Sequence, residues 1–535
     1  MAPSLSDVLR PSSIGLLASV YFVFRLIHRF ILKPKYLSPL RRLPTPPGAK
    51  LLSGHTLKVL RDESGKTVRE WTKKYGSTLR IAGPFSADHM ITIEPEYLEK
   101  ILGKDAQNYA KPDHLCKVLE SMFGYGLLAV AGSEHRLMRK AMNPAFSMAI
   151  LTSQAHLHYE VTDGLVKLFE EQITSSPNPS EGKVMPIYEW MSKATLDIIC
   201  LTGFGYKADS VHNPHNVLAD AYSLRSVAQS GPNLAKLLYL TLIPGAMTLM
   251  RSSWMYRHRH WLNYTQYAEY FRILVESNHT IAEISKELLK EKINDSVTVA
   301  DSEGKRDIMS ILVRARKADL EKDSSTYSMS DEAMLDQVLT FLGAGHTATA
   351  IACTAALWSL ANDQESQTKL REEVTPVLND NPHPDYRTLK GLQWLDCVVN
   401  ETLRIFPPIP MDERVALKTD YLGDVLVPEG TVIYLPLSVI NTNKKVWGED
   451  AEEFKPSRWL NLPKAYNPNY SSLTFLTGPH ACIGKTMAVM EIRSMVAFMI
   501  ANFTFEPAYE GQVAKLRGGI SMNFLDGMPL RVKRV

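Results

Sequence analysis

The sequence lacks closely spaced cysteines. Its 535 residues include five cysteines, none of them in a Cys-x-x-Cys pair. This spacing excludes a disulfide framework and a cysteine-based zinc site, and it is typical of a protein in a reducing compartment. A single cysteine in such a chain can still have special chemistry, which its neighbours must indicate. The five are Cys116, Cys200, Cys353, Cys397 and Cys482.

A strong charge of either sign is also absent. The formal net charge is +3, and no basic stripe with interleaved aromatic residues occurs, so we expect no nucleic-acid partner. No Gly-x-Gly-x-x-Gly follows a predicted strand, which excludes a flavin or nicotinamide domain within the chain. With 45% hydrophobic and 22% charged residues, the composition is that of an ordinary globular protein.

Apolar residues are concentrated near the N-terminus, at positions 14–24 and, around Arg25, at 26–32. Spanning a bilayer takes about 20 apolar residues, so the length is borderline. Basic residues follow the apolar run, which places the remainder of the chain on the cytosolic side. We predict a membrane anchor at residues 1–33. An amphipathic helix in the membrane interface and a cleavable signal peptide are the alternatives.

Prolines separate this anchor from the body. Pro44, Pro46 and Pro47 precede Gly48 and predict a stiff, non-helical connector over residues 44–48. We predict that residues 34–48 form a proline-rich hinge. Residues 49–535 contain no second linker, repeat or low-complexity tract, so we predict one large catalytic domain.

Helical periodicity dominates this domain, and strand-like stretches are fewer. The predicted class is mainly α with a small β contribution. The predicted helices are 155–172, 264–291, 330–362 and 396–405, the predicted strands are 77–81, 89–93, 431–437 and 530–535, and 174–183 and 301–305 are predicted loops.

The most informative segment surrounds Cys482. Phe475 and Gly478 precede this cysteine, Gly484 follows it, and a helical run begins at Lys485. Glycine permits tight turns and close approach to a planar partner. A cysteine just before a helix lies near the positive end of the helix dipole, so we expect a lowered thiol pKa. An inert cysteine in a glycine-rich turn is the structural alternative.

Residues 475–484 resemble the haem-binding loop of the cytochromes P450, whose pattern is Phe-x-x-Gly-x-Arg-x-Cys-x-Gly. The match covers Phe475, Gly478, Cys482 and Gly484, while His480 stands where the family has arginine. The resemblance implies that Cys482 is the axial thiolate ligand of haem b. It also implies that His480 replaces a donor to a haem propionate, with a shorter and pH-dependent side chain.

Two further motifs agree with this family. Glu401 and Arg404 match its Glu-x-x-Arg signature, and the segment around Arg458 resembles the one that supplies a third, arginine partner; the resemblance implies a structural network. His135 and Arg139 resemble its Trp-x-x-x-Arg helix, with histidine in place of tryptophan. Positions four apart share a helical face, so both side chains can reach one propionate.

A fourth segment resembles the oxygen-binding part of the family's central helix, Ala-Gly-x-Asp/Glu-Thr-Thr/Ser. Ala344 and Gly345 match and are expected to leave space over the haem, although small residues equally permit a close helix–helix contact. Thr347 replaces the acid and Ala348 the usual threonine, while Thr349 agrees with the last position. We expect Thr347 or Thr349 to replace the acid–alcohol pair that relays protons.

The resemblance implies a monooxygenase in the endoplasmic reticulum membrane, single-pass, with the catalytic domain in the cytosol. It implies a lipophilic substrate and electrons from NADPH through a separate NADPH-cytochrome P450 reductase. The sequence is similar to fungal members that act in secondary metabolism, on terpenoids or polyketides. The alternatives are a haem-thiolate isomerase, dehydratase or peroxygenase, and a non-catalytic membrane haem sensor. The expected basic face for the reductase comprises Arg136, Lys140, Lys444, Lys445 and Lys485.

Overall fold

The computed structural model describes residues 11–28, 36–50, 52–61, 65–213, 215–228, 232–264, 268–298, 307–321 and 329–535. Within these ranges the α-helices are α1 Pro11–Ile27, α2 Thr56–Arg61, α3 Lys66–Tyr75, α4 Pro95–Glu99, α5 Asp113–Phe123, α6 Gly132–Met142, α7 Met148–Ser153, α8 Ala155–Thr174, α9 Ile187–Phe204, α10 Val217–Ala228, α11 Pro232–Leu240, α12 Ala246–Arg251, α13 Ser253–Arg257, α14 Glu269–Thr298, α15 Ile308–Glu321, α16 Asp331–Asn362, α17 Gln364–Asp380, α18 Tyr386–Gly391, α19 Gln393–Ile405, α20 Leu437–Ile440, α21 Lys444–Trp447 and α22 Lys485–Asn502.

The strands form one larger sheet and three small ones. The five-stranded sheet has the order β1-β2-β8-β5-β3, in which only β2 and β8 run parallel, and β4-β12-β9 form an antiparallel sheet. Two hairpins, β6-β7 and β10-β11, complete the described strands. The bounds are β1 Thr78–Ala82, β2 Asp88–Thr92, β3 Tyr109–Ala110, β4 Lys183–Pro186, β5 Asp412–Ala416, β6 Asp420–Leu422, β7 Val425–Val427, β8 Val432–Leu435, β9 Phe503–Pro507, β10 Leu516–Arg517, β11 Asn523–Phe524 and β12 Pro529–Arg534.

The predicted mainly α class is confirmed, and the element boundaries differ by a few residues. Helix α16 begins one residue later than predicted because the Ser330 side chain caps it, accepting a hydrogen bond from the Ala333 N–H. Helix α14 begins at Glu269 and not at Tyr264, which ends a 3₁₀ turn. The predicted loop 174–183 contains a 3₁₀ turn at Pro179–Glu181, and the loop 301–305 lies outside the described residues.

Helix α16 is the centre of the core. Its second half is buried on every side, from Thr349 to Ala361. A helix without a polar face must be enclosed by other elements, and α9, α22 and β9 are among those that pack around it. Gly345 permits a close approach of α9, since a Cβ there would lie 2.6 Å from Cγ1 of Ile199. The central helix therefore fixes the positions of the elements that build the site.

The N-terminal helix α1 is exposed and apolar, and Leu16 and Phe22 keep 67% and 63% of their surface exposed. Among the described helices only α16 is both long and apolar enough to span a membrane, but most of it is buried in the core. The apolar stretch Ile14–Arg25 is shorter.

The prolines of the predicted hinge lie against the body of the protein. The Arg80 N–H of β1 donates to the Pro44 carbonyl at 2.9 Å. The His55 ring Nε2 lies 3.1 Å from the Pro46 carbonyl oxygen. Pro44 and Pro46 are thus held at the edge of the larger sheet by hydrogen bonds to their carbonyls, which proline retains although it lacks an N–H group.

Candidate active site

The Cys482 loop is a tight turn placed directly before α22. The Cys482 N–H donates to the Phe475 carbonyl at 2.8 Å and closes the loop. Gly478 has a φ of +72°, and a Cβ there would lie 1.9 Å from the Leu102 carbonyl oxygen, so only glycine fits. Gly484 caps α22 at its N-terminus. These contacts fix the position of the cysteine before the first turn of the helix.

The Cys482 thiol faces an internal space. Protein surrounds this side chain, yet the residue keeps an exposed surface, so it borders a space inside the protein. Burial raises the pKa of the thiol, and the N–H groups of Gly484 and Lys485 and the charge of Arg139 oppose this rise. The expected lowering of the pKa by the helix N-terminus is therefore wrong for the free thiol, because desolvation outweighs the helix dipole.

A cluster of basic side chains, which we call the basic cradle, lies beside this loop. It comprises Lys111, His135, Arg139, Arg414 and His480. The rings of His135 and His480 lie 4.1 Å apart, and an Nη1–H of Arg139 donates to the Ala481 carbonyl. Lys111 Nζ donates to the Leu128 carbonyl at 2.5 Å. The structure thus brings His135, Arg139 and His480 together beside the cysteine loop.

Sequence reasoning missed Lys111 and Arg414, which come from the segment before α5 and from strand β5. No local pattern marks either residue. Arg414 follows two acidic residues in β5, so the sequence around it is that of an exposed strand, and only the structure shows that its exposed fraction is 1%. A charged side chain buried to this degree needs a specific partner.

Positive charge in the basic cradle exceeds negative charge. Asp412 is the acid that pairs with Arg414, at 2.6 Å. Burial and the neighbouring cations lower the pKa of His480 to about 3 and that of His135 to about 4. Burial, together with Arg414, also lowers the pKa of Lys111 to about 8. Such mutual repulsion is costly unless an anion joins the cluster.

Two buried polar atoms of the basic cradle have no hydrogen-bond partner, Nδ1 of His480 and Nη2 of Arg414. Buried polar atoms without partners are rare in folded proteins. A thiol that faces an internal space, next to unpaired polar atoms and surplus positive charge, matches an iron porphyrin with two propionates. These residues therefore fit haem, with sulfur as ligand and the basic cradle as the propionate site.

Glu401, Arg404 and Arg458 form one buried network. The Glu401 carboxylate accepts two hydrogen bonds from Arg404, both of 2.8 Å, and one of 3.3 Å from Arg458. The Trp459 indole and the Lys455 N–H donate to the same carboxylate, each at 2.9 Å. Glu401 and Arg404 have exposed fractions of 0%. A bidentate pair with further donors is the geometry in which a buried ion pair is stable.

This network connects to the cysteine loop through Asn441. Arg404 donates to the Asn441 carbonyl at 3.1 Å, and the Asn441 side chain accepts from the Leu473 N–H at 2.7 Å. The Thr474 hydroxyl donates to the Leu403 carbonyl at 2.7 Å. Phe475 is the next residue and begins the loop. Helix α19 therefore supports the cysteine loop directly.

The central helix presents Ala344 and Thr347 on one face. Ala344 is exposed although the residues before it are buried, so it faces an internal space, and Thr347 and Ala348 are half-buried. Gly345 and Thr349 lie elsewhere on the helix. Gly345 contacts Ile199 of α9, so the helix–helix alternative describes it better than a role over the haem. The Thr349 hydroxyl is buried and donates to the Gly345 carbonyl at 3.2 Å.

His346, which the sequence motifs did not single out, is hydrogen-bonded to Thr347. Its Nδ1–H donates to the Leu342 carbonyl at 2.6 Å, so Nε2 accepts from the Thr347 hydroxyl at 3.1 Å. Burial lowers the pKa of His346 to about 4, which keeps the ring neutral near pH 7. The ring also lies edge-on to Tyr222, with centroids 4.5 Å apart. His346 therefore orients the hydroxyl on the exposed face.

Comparison with known proteins agrees with this geometry. A family model described as cytochrome P450 matches residues 44–523. The chain is 28% identical over 534 residues to the cytochrome P450 monooxygenase sphH of Aspergillus fumigatus, with 97% of this chain and 93% of that protein covered. It is 31% identical over 498 residues to cytochrome P450 monooxygenase 205 of Postia placenta, covering 88% and 87%. Ganoderic acid synthetase CYP5150L8 of Ganoderma lucidum is 28% identical over 522 residues, covering 92% of each chain.

Proposed function

This chain belongs to the cytochrome P450 family, and from that premise we propose that it is a membrane-anchored monooxygenase that inserts one oxygen atom of dioxygen into a lipophilic small molecule. The observation that carries the proposal is the Cys482 thiol, which faces an internal space beside the basic cradle. Bound haem b would supply the binding and reductive cleavage of dioxygen, which a thiolate ligand from Cys482 would favour.

We assign roles to the residues of this chain as follows. Cys482 holds the metal, and Phe475, Gly478 and Gly484 shape the turn that presents the sulfur. His135, Arg139 and His480, with Lys111 and Arg414, bind the propionates. The buried network of Glu401, Arg404 and Arg458 supports the cysteine loop through Asn441. Ala344 leaves room for dioxygen and substrate, and Thr347 holds a proton at its Oγ1 atom for transfer.

Removing a cation from the basic cradle should stabilise the haem-free protein but weaken the binding of haem. Lys111→Met removes one of several crowded cations, so we expect the haem-free protein to gain stability against urea. The same change removes a charge-assisted partner, worth about 1.5–3 kcal/mol, so haem should dissociate roughly 10- to 100-fold faster. Transfer of haem to an excess of apomyoglobin measures that rate. Lys117→Met, at an exposed position on α5, is the control and should change neither quantity.

Thr347 gives a second prediction. Thr347→Val removes the hydroxyl that His346 orients, and we expect product formation per NADPH to fall roughly 10- to 100-fold while peroxide rises. Thr349→Val should have little effect, because that hydroxyl is buried against its own helix. Thr347→Glu combined with Ala348→Thr restores the family's pair and should raise coupling. A loss in Thr349→Val equal to that in Thr347→Val would contradict this assignment.

We propose that electrons come from NADPH through NADPH-cytochrome P450 reductase, which docks near α6 and the start of α22. Arg136, Lys140 and Lys485 are exposed there, whereas Lys444 and Lys445 are paired with Glu449 and Glu94. Complementary charge mainly speeds encounter.

Arg136→Glu with Lys140→Glu should therefore slow haem reduction by the reductase about tenfold at low salt, with little effect at high salt. Stopped-flow reduction under carbon monoxide measures the rate. Lys167→Glu, exposed on α8, is the matched control. Equal slowing in the control would place the docking surface elsewhere.

We propose that residues 1–33 anchor the protein in the endoplasmic reticulum membrane, that residues 34–48 form the hinge and that the catalytic domain, residues 49–535, lies in the cytosol. The exposed apolar surface of α1 supports an anchor. The likeness to fungal monooxygenases, including one named ganoderic acid synthetase, favours a role in secondary metabolism with a terpenoid or polyketide substrate.

The experiment that tests the function compares metabolites of the native host with those of a strain lacking this chain. The accumulated precursor is then supplied to purified protein with reductase, NADPH and ¹⁸O-labelled dioxygen. A monooxygenase incorporates one labelled atom and requires the reductase. Product formed without reductase and dioxygen would instead indicate an isomerase or dehydratase, the alternative that the Thr347-Ala348 pair favours, and product formed with added peroxide alone would indicate a peroxygenase. Ligand binding without any product would indicate a haem sensor.

A further inference from the structure

Arg225 on α10 is buried without an acidic partner. Its exposed fraction is 4%, its Nη1–H donates to the Met122 carbonyl at 2.6 Å, and its guanidinium carbon lies 4.5 Å and 5.4 Å from the ring centroids of Tyr222 and Phe123. Burial raises the pKa of Tyr222, so the phenol is neutral and supplies no negative charge. In the described part of the chain, no carboxylate pairs with this guanidinium.

The other buried arginines of the described residues all have an acid. Arg404 and Arg458 share Glu401, and Arg414 and Arg493 pair with Asp412 and Asp396 respectively. Arginine remains charged in proteins, and an unpaired buried charge is strongly unfavourable. Arg225 is therefore the exception in a protein that otherwise neutralises its buried guanidinium groups.

The position of Arg225 indicates what neutralises it. The residue lies where α10 and the end of α5 meet the central helix. A Cβ on Gly343 would lie 2.5 Å from Cδ1 of Phe123 and 3.1 Å from Nη2 of Arg225, so glycine at this position makes room for both the Phe123 ring and the guanidinium against the helix. The next residue, Ala344, is exposed to the internal space. The charge thus lies in the wall of the proposed substrate site, among aromatic side chains.

We infer that Arg225 forms an anion subsite in this wall and that the substrate is an apolar molecule carrying a carboxylate, whose oxygens accept hydrogen bonds from the guanidinium. The planar fork of arginine matches the two oxygens of a carboxylate. The ring faces of Tyr222 and Phe123 pack against the guanidinium, hold it in place and exclude water from it. The inference rests on the proposed function, because it assigns the substrate class of the same site.

The test uses ω-(imidazol-1-yl)alkanoic acids of increasing chain length, each compared with its uncharged N-methylamide. The imidazole binds haem and changes its Soret absorption, so the affinity is measured without knowledge of the natural substrate. We expect the acid to bind on the order of tenfold tighter than its amide at the chain length that reaches Arg225. Arg225→Gln should abolish this preference, and Arg225→Lys should retain part of it. Arg257→Gln, at an exposed position on α13, should leave it unchanged.

Equal affinity of acid and amide at every chain length would overturn the inference, as would an acid preference that persists in Arg225→Gln. Thermal unfolding of each variant controls for loss of fold, and Arg225→Lys keeps the charge if the glutamine variant is unstable. A carbon monoxide spectrum without a thiolate band would refute the proposed function itself. A normal spectrum without an acid preference would refute only the anion subsite.

Discussion

Replacing Cys482 by serine should abolish the red-shifted Soret band of the carbon monoxide adduct and reduce monooxygenase activity below detection. The physical reason is that the thiolate pushes electron density onto the metal, which a neutral hydroxyl does not. The loop should remain folded, because its closing hydrogen bond joins backbone atoms of residues 475 and 482. Spectra of reduced, haem-loaded protein under carbon monoxide measure the band, and turnover with reductase measures the activity.

Cys116→Ser is the matched control for this experiment, because Cys116 is half-buried outside the loop and has no assigned role. It should keep both the band and the activity. A thiolate band that survives in Cys482→Ser would show that another group holds the haem, and the assignment of the site would fail.

The second large effect is a loss of stability when the buried network of Glu401, Arg404 and Arg458 is broken. Arg404→Ala leaves the Glu401 carboxylate buried without its bidentate partner, and we expect a loss of about 3–5 kcal/mol in the free energy of unfolding. Three carbonyl groups, those of Asn441, Ala451 and Glu453, also lose their donor. Because the network supports the segment leading to Phe475, haem should be retained poorly even where the protein folds. Urea denaturation and the haem content of the purified protein measure both effects.

An ion pair on the surface provides the control for Arg404→Ala. Lys286 and Glu283 lie 2.7 Å apart on α14 with about half of each side chain exposed, at 55% and 50%. Lys286→Ala should cost about 0.2–1 kcal/mol, because solvent screens an exposed pair. Similar losses for the two substitutions would show that Arg404 is not a supporting residue.

Local signals made the motifs of the site predictable. Glu401 and Arg404 are three residues apart on one helix, so their pairing follows from helix geometry. Gly478 stands where the turn requires a positive φ, and Gly484 is the residue that precedes the first turn of α22, and the sequence shows both glycines directly. His135 and Arg139 are one turn apart and share a face. Each of these inferences uses contacts within a few residues.

Contacts between distant segments were not predictable in the same way. Lys111 and Arg414 reach the same cradle from positions about 300 residues apart along the chain, and neither belongs to a motif. The surroundings of Gly345 and His346 depend on α9 and α10, which pack against the central helix. The rise in the Cys482 pKa depends on burial by the whole fold, which outweighs the local effect of the helix terminus.

The sequence alone determined the mainly helical class, the cysteine loop, the paired Glu401 and Arg404, and the departure at Thr347 and Ala348, because periodicity and short motifs record interactions between near neighbours. The tertiary structure decided which face of the central helix meets the internal space, which cations form the basic cradle and which buried charge lacks a partner. Desolvation and the balance of charge are sums over all surrounding atoms, and only the packed chain brings those atoms together.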